Sequence, residues 1–377
     1  MPPQPTPQRD RPFLLTVAAW PYFLVPFIPI AIALELAHAD AVLIFAASAL
    51  GVIPTAALMG EATEQLARRS GPGIGGLLNV TFGNAPELII ALFALNKGLH
   101  EVVKASLVGS IVSNVLLVMG ASMFFGGLGR DRQRFNPVAA GAQSSMLMLA
   151  IAAVVMPAVF ELVRGSGLPA PTAERINYDA SVEHLSLITA LVLIGVYAGG
   201  LVFSLRTHRD LFNPPHAVDD EEGEPWSVRK AVLALAIAGV AVAIMSEILV
   251  GSISETAHKA GISEFFIGAI VVAIVGNAAE HWVAVLVARK DKMDLAVNIA
   301  IGSRAQSALF VAPVLVLASY VIGPWPLPLV FNGFEVAALV LAALIANQVT
   351  QDGESTWFEG LQLLAVYAII AVAFYVA

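Results

Sequence analysis

The sequence predicts an all-α polytopic membrane protein of eleven transmembrane helices, one N-terminal helix followed by two inverted five-helix repeats. Three observations predict it. Of the 377 residues, 58% are hydrophobic and 13% charged, whereas an ordinary soluble chain has about 25% charged residues. The apolar residues fall in long runs. Finally, one set of polar residues recurs in the second half at a constant distance from the first.

A soluble core of this length cannot hide so much apolar surface, so lipid is the expected solvent. The chain has no cysteine, which excludes disulfides, thiolate metal sites and cysteine nucleophiles. Residues 1–10 are polar and Pro-rich. The apolar run after them is too long for a cleavable signal, and it reads as a retained helix. Runs of about 18 residues or more read as spans. They cover approximately residues 14–36, 41–66, 73–95, 102–125, 137–160 and 185–205. Five more cover 231–253, 265–287, 295–320, 327–345 and 358–376.

Loop charges orient these runs. With the N-terminus inside, the inner segments carry fourteen Lys and Arg residues, among them Arg68, Arg69, Arg130, Arg132, Arg134, Arg289 and Lys290. The outer segments carry five: Lys97, Lys104, Arg164, Arg175 and Lys259. That bias follows the positive-inside rule and places the N-terminus in the cytoplasm. A polar loop at 207–227 contains Asp219, Asp220, Glu221, Glu222 and Glu224. It reads as a solvated linker, with a weak Ca2+-attracting strip as the sharper alternative. The expected divisions are 1–38 (tail and first helix), 39–206 (first repeat), 207–227 (acidic linker) and 228–377 (second repeat).

The repeat is visible residue by residue. Gly83-Asn84-Ala85-Pro86-Glu87 in the third run matches Gly276-Asn277-Ala278-Ala279-Glu280 in the eighth, 193 residues on. Gly109-Ser110 and Asn114 in the fourth run match Gly302-Ser303 and Ser307 in the ninth at the same offset. Met59-Gly60-Glu61 and Met245-Ser246-Glu247 give a weaker echo. A shift of five spans is odd, so the second copy is inverted in the membrane. Inverted repeats characterise secondary transporters, whose sites lie at the repeat interface.

Asn84 and Glu87 are three residues apart, as are Asn277 and Glu280, so each pair shares a helix face. Each offers a carboxylate and an amide oxygen, hard donors suited to Ca2+. Pro86 cannot donate to the carbonyl of Phe82, which frees a backbone oxygen. Ser110 and Ser303 are further ligand candidates, with Ser113, Asn114, Gln306 and Ser307 as accessory polar groups. A mid-membrane carboxylate costs about 3 kcal/mol or more and is a functional candidate by default. The bland alternative is a neutral carboxyl hydrogen-bonded to a neighbouring helix. Bare carboxylates are costly there, so Glu87 and Glu280 should hold either protons or a cation, and the two ligands compete. His281 is a candidate for proton coupling. Glu61 and Glu247 are candidates for ion entry or gating, or else they face headgroup water. Glu35, Glu101, Glu264 and Asp294, near run ends, read as solvated.

At these residues the chain resembles the calcium/proton exchangers of the cation/calcium exchanger superfamily. The resemblance rests on Met59-Gly60-Glu61-Ala62-Thr63-Glu64, Gly83-Asn84-Ala85-Pro86-Glu87-Leu88, Gly276-Asn277-Ala278-Ala279-Glu280-His281 and Phe310-Val311-Ala312-Pro313. It implies an extra N-terminal helix, two inverted five-helix halves and an acidic linker. It also implies Ca2+ binding and proton exchange at Glu87 and Glu280, and sliding gates in the second and seventh runs. Arg304 departs from the pattern. It stands where a small or polar residue is expected and aligns with Ile111. A cation there repels Ca2+ unless it pairs with an intramembrane acid, and it bears on affinity, stoichiometry or ion choice.

The expected function is Ca2+/H+ antiport by alternating access, with Ca2+ and H+ as substrates and no cofactor. A Na+/H+ or K+/H+ antiporter using the same carboxylates is the first alternative, and a Ca2+ channel the second. No His-Glu-x-x-His motif, phosphate-binding Gly-rich loop or cysteine points to an enzyme or an ATP-driven pump. The expected partners are the lipid bilayer and, as an open question, a second copy of the chain, with no nucleic acid. The short tails favour a bacterial plasma membrane.

Overall fold

The computed structural model describes residues 17–171, 177–203 and 226–377. All of the acidic linker except Trp226 and Ser227 lies outside the described residues. The first apolar run is not one helix. Pro21 and Pro26 divide it into a 3-10 segment, Val17–Leu24, and α1, Phe27–Leu36. The second run continues into the third as α2, Ala41–Phe82. Even so, Gly75 packs against the backbone of Ala67, whereas eight residues of straight helix span about 12 Å. The chain therefore folds back sharply inside this element. It breaks at Gly83-Asn84, and α3 follows as Ala85–Asn96. Pro86 sits in the first turn of α3, where its missing N–H forfeits no helical bond.

The remaining helices are α4 (His100–Gly127), α5 (Pro137–Val163), α6 (Ala180–Val202), α7 (Val228–Gly251) and the short α8 (Ile253–Ala260). Then come α9 (Glu264–Arg289), α10 (Met293–Ala318), α11 (Gly333–Val349) and α12 (Trp357–Val376). Side-chain caps fix several starts. Asn136 accepts from the backbone of Val138 and Ala139 at α5. Capping boxes Asn332/Glu335 and Thr356/Glu359 open α11 and α12. Among the described residues nine helical spans are long and apolar enough to cross a membrane, counting the 3-10 segment and α1 together as Ala19–Leu36, and α3 and α11 are shorter apolar helices.

Two expectations need correction. The tenth run was expected to be helical from residue 327, but residues 326–332 form no regular secondary structure and α11 begins at Gly333. Pro324, Pro326 and Pro328 oppose a helix there. The buried backbone finds other partners: Leu327 N donates to Ser319 at 2.8 Å, Leu329 N donates to Ser186 at 3.0 Å, and Lys104 donates to the Val330 carbonyl at 3.0 Å. Glu101 was expected to be solvated, yet it is buried, with Lys104 Nζ 2.6 Å away. Residues at i and i+3 share a helix face, and here that face turns inward. Glu335, also buried, lies within electrostatic reach of Lys104.

Burial identifies the central helices. In α4, 89% of the apolar window is buried, and in α10, 72%, against 17% in α6 and 22% in α12. The outer faces expose Leu149, Leu162, Leu191, Val240 and Ile369, an apolar surface suited to lipid rather than water. One apolar cluster is built on α4, α5, α6, α9, α10, α11 and α12. A second is built on α1, α2, α3 and α7. Helices α4, α9 and α10 contribute to both. A two-stranded antiparallel pair, β1 (Gln133–Arg134) and β2 (Glu354–Ser355), ties the loop after α4 to the loop after α11. Arg132 and Arg134 hold Glu354 at 2.7 and 3.3 Å.

Candidate cation site

Arg304 is the hub of the site. It lies in a four-residue α-helical stretch, Ser303–Gln306, between two π-helical turns of α10, Asn298–Gly302 and Ser307–Val311. Such turns recur at functional sites. The α4 helix carries a π turn at Ser113–Val118, a stretch that is the repeat counterpart of the second of these. Arg304 Nη1 donates to Glu87 Oε1 at 2.6 Å and to Ser110 Oγ at 2.6 Å. Its Nη2 donates to Glu280 Oε2 at 2.9 Å and to Ser303 Oγ at 3.2 Å. Carboxylates from the two halves thus converge on one guanidinium.

Arg304 is fully buried, whereas the side chains of Glu87 and Glu280 are 14% and 35% exposed. The cation is therefore the innermost group, and the carboxylates reach toward accessible space. Glu87 stands in the first turn of α3, where the unbonded N–H groups of the helix favour negative charge. Ser110 Oγ donates to Glu87 Oε1 at 2.5 Å. Asn277 also donates to that oxygen, as well as to the Ala273 carbonyl at 2.9 Å. Two carboxylates and one guanidinium leave a formal charge of −1 on the cluster.

The other candidate residues surround this hub. Ser307 Oγ donates to Asn84 Oδ1 at 2.8 Å. Asn114 Nδ2 donates to the Ser110 carbonyl at 3.0 Å and lies 3.3 Å from His281 Nε2. Its Oδ1 is buried without a hydrogen-bond donor. Ser113 donates to the Ser110 carbonyl at 3.2 Å, and Gln306 is half-buried. Glu87, Ser110 and Ser307 also line a cavity of about 30 Å3, room for one or two waters. No group of three or more His, Cys, Asp or Glu among the described residues forms a metal site. A cation here would rest on two carboxylates and neutral oxygens.

Among the described residues, Glu61 and Glu247 make no hydrogen bond to this hub. Glu61 accepts from Tyr22 of the N-terminal 3-10 segment at 2.5 Å, and Glu247 is exposed on α7. Tyr22 is a contact that sequence reasoning missed, since a pairing across 39 residues leaves no local signal. Trp20 likewise packs edge-to-face on Trp282, beside His281, at 5.9 Å between centroids. The paired glycines have a packing role. Gly109 lets α4 approach the backbone of Ala269, and a Cβ on Gly302 would meet Asn298 Oδ1 at 2.6 Å.

Comparison with known proteins identifies the family of the chain. A family model described as sodium/calcium exchanger protein matches residues 40–206 and 230–376. The Ca2+/H+ antiporter ChaA of Bacillus subtilis is 45% identical over 369 residues, covering 97% of this chain and 99% of its own. The Ca2+/H+ antiporter of Synechocystis is 42% identical over 370 residues, covering 93% and 96%. Among solved structures, native YfkE superposes with a TM-score of 0.80 at 41% identity, over 95% of this chain and 100% of that one. The H+/Ca2+ exchanger CAX has a TM-score of 0.69 at 18% identity, over 95% and 91%, a likeness of fold. The chain therefore belongs to the calcium/proton exchangers of the sodium/calcium exchanger family, which are membrane transporters and not enzymes.

Proposed function

We propose that the chain is a secondary active antiporter that exchanges Ca2+ for H+ by alternating access, with Glu87 and Glu280 as the shared sites. One observation carries this reading: a carboxylate from each half lies within hydrogen-bonding distance of the same guanidinium, close enough for one cation to be held between them. The relatives' names agree with the choice of ion. Ca2+ requires both carboxylates ionised, whereas an unloaded pair away from water is costly and takes up protons. One charge state then excludes the other, and exchange follows from the competition. Asn84, Asn277, Ser110 and Ser303 supply neutral oxygens, and His281 with Asn114 supports proton movement. The nine long and two short apolar helices support eleven spans in two inverted halves, with Glu61 and Glu247 on the ion's route. We place the protein in a bacterial plasma membrane with its N-terminus inside.

The formal charge of −1 favours a second reading, in which a single Na+ or K+ exchanges for a proton. Proteoliposomes with an imposed pH gradient separate the two. Ca2+ antiport predicts 45Ca uptake with proton efflux in fixed proportion, unaffected by Na+ or K+. Uptake of 22Na or 86Rb with no 45Ca movement would establish the second reading and overturn the first.

A further inference from the structure

We propose that Arg304 is a tethered competitor for the transported cation: its guanidinium keeps the ion's place between Glu87 and Glu280, and the ion binds by displacing it. The inference deepens the antiport reading and rests on its assignment of the two carboxylates as the ion's ligands.

All four hydrogen bonds of the guanidinium end on oxygens that a bound cation would need: Glu87, Glu280, Ser110 and Ser303. None of them ties Arg304 to a purely structural partner. Its Nε is buried without an acceptor, so the side chain is held from its Nη atoms alone. A hard divalent ion seeks these same oxygens at 2.3–2.6 Å. At that range a guanidinium bonded to both carboxylates leaves no room, and repulsion between the two cations adds to the exclusion. One of them must go.

The surroundings favour a side chain that can move. Arg304 lies on a short α-helical piece between two π turns, each with one residue more per hydrogen-bonded ring than the helix proper. A displaced guanidinium also has an acceptor nearby. Asn114 Oδ1 is buried without a donor, and Asn114 Nδ2 already bonds to the carbonyl of Ser110, whose hydroxyl the guanidinium holds. The repeat shows that the fold itself does not require the charge, because the matching residue in the first half is Ile111. Arg304 therefore makes the two halves unequal in charge at the point where they are otherwise most alike.

Two consequences follow. The resting affinity for the cation is low, because the ion must replace a bound positive charge. The unloaded site also remains partly neutralised, so reorienting it costs less than moving two bare carboxylates through a low-dielectric interior.

The test is the concentration dependence of 45Ca uptake into proteoliposomes by the wild type, Arg304→Ala, Arg304→Gln and Arg304→Lys. Removing the charge should lower KM for Ca2+ by about tenfold or more in Arg304→Ala and Arg304→Gln, while Arg304→Lys stays near the wild type. Millimolar guanidinium added to Arg304→Ala should restore a high apparent KM by competition. If Arg304→Ala does not fold, the Gln and Lys variants decide the point. A KM that is the same in every folded variant, or guanidinium without effect, overturns the inference while the wild type's exchange leaves the antiport reading standing. Ca2+ uptake gained only when Arg304 is replaced would support the competitor role and overturn Ca2+ as the wild type's ion. If no variant moves Ca2+, the same KM comparison with 22Na decides the inference, because a competitor must weaken whichever cation the carboxylates bind.

Discussion

Ser307 of α10 donates its hydroxyl to Asn84 Oδ1 at 2.8 Å, tying the second half to the break between α2 and α3. The repeat counterparts of this pair are Asn114 and Asn277. Asn277 instead donates to Glu87 and lies 3.3 Å from Ser110 Oγ, and Asn114 turns to His281. The halves are alike in sequence and unlike in bonding. This asymmetry fits the proposed alternating access, in which each half would adopt in turn the arrangement the other has left.

The break itself differs between the halves. Pro86 opens α3 after a two-residue turn, whereas its counterpart Ala279 lies inside the unbroken α9. Pro86→Ala supplies an N–H that can bond to the Phe82 carbonyl and close the gap. We expect thermal stability in detergent to hold or rise and the initial transport rate to fall about tenfold. An unchanged rate would mean that the break is not needed for turnover.

Close helix packing rests on Gly109. A methyl group there overlaps the Ala269 carbonyl, and Gly268 on the facing helix is also crowded, by Val102 and Ala105. Gly109→Ala should cost about 1–3 kcal/mol in overpacking, read as a lower melting temperature or loss of folded protein. Gly195→Ala on α6, where nothing lies within 4 Å, is the control and should be neutral or slightly stabilising.

The buried Glu101–Lys104 pair makes a separate prediction. Lys104→Met leaves a carboxylate without its ammonium and should destabilise the protein by about 3–5 kcal/mol. The double variant Glu101→Gln/Lys104→Met removes the stranded charge and should recover most of that loss. Thermal unfolding of the wild type, Glu101→Gln, Lys104→Met and the double variant measures the coupling, and additive effects would show that the 2.6 Å contact is energetically idle.

Apolar runs separated by charged loops are legible because lipid imposes one requirement on every span. The run predicted at 137–160 is α5, Pro137–Val163, and the run at 358–376 is α12. Asn84, Glu87 and Ser110 stood out as candidates in the sequence because an offset of 193 residues repeats them as Asn277, Glu280 and Ser303. The misses have local causes. Residues 326–332 are as apolar as a helix but irregular, and the Asn332…Glu335 capping box marked the true start of α11. Glu101 was expected to be solvated because charges at run ends usually face water, and Lys104 was counted with the outer segments. Their i, i+3 spacing was the available hint, and their burial depends on Glu335 and Val330, more than 200 residues away. Arg304 was visible as an anomaly, but its bond to both carboxylates at once depends on how three helices meet.

The most direct test of the account is 45Ca uptake into proteoliposomes driven by an imposed pH gradient, in the wild type, Glu87→Gln and Glu280→Gln. Glutamine keeps the shape and one oxygen of each side chain but can neither ionise nor exchange a proton. The account predicts accumulation by the wild type and a fall of about a hundredfold or more in each variant. PH-driven uptake at near wild-type rate in either correctly inserted variant would contradict it.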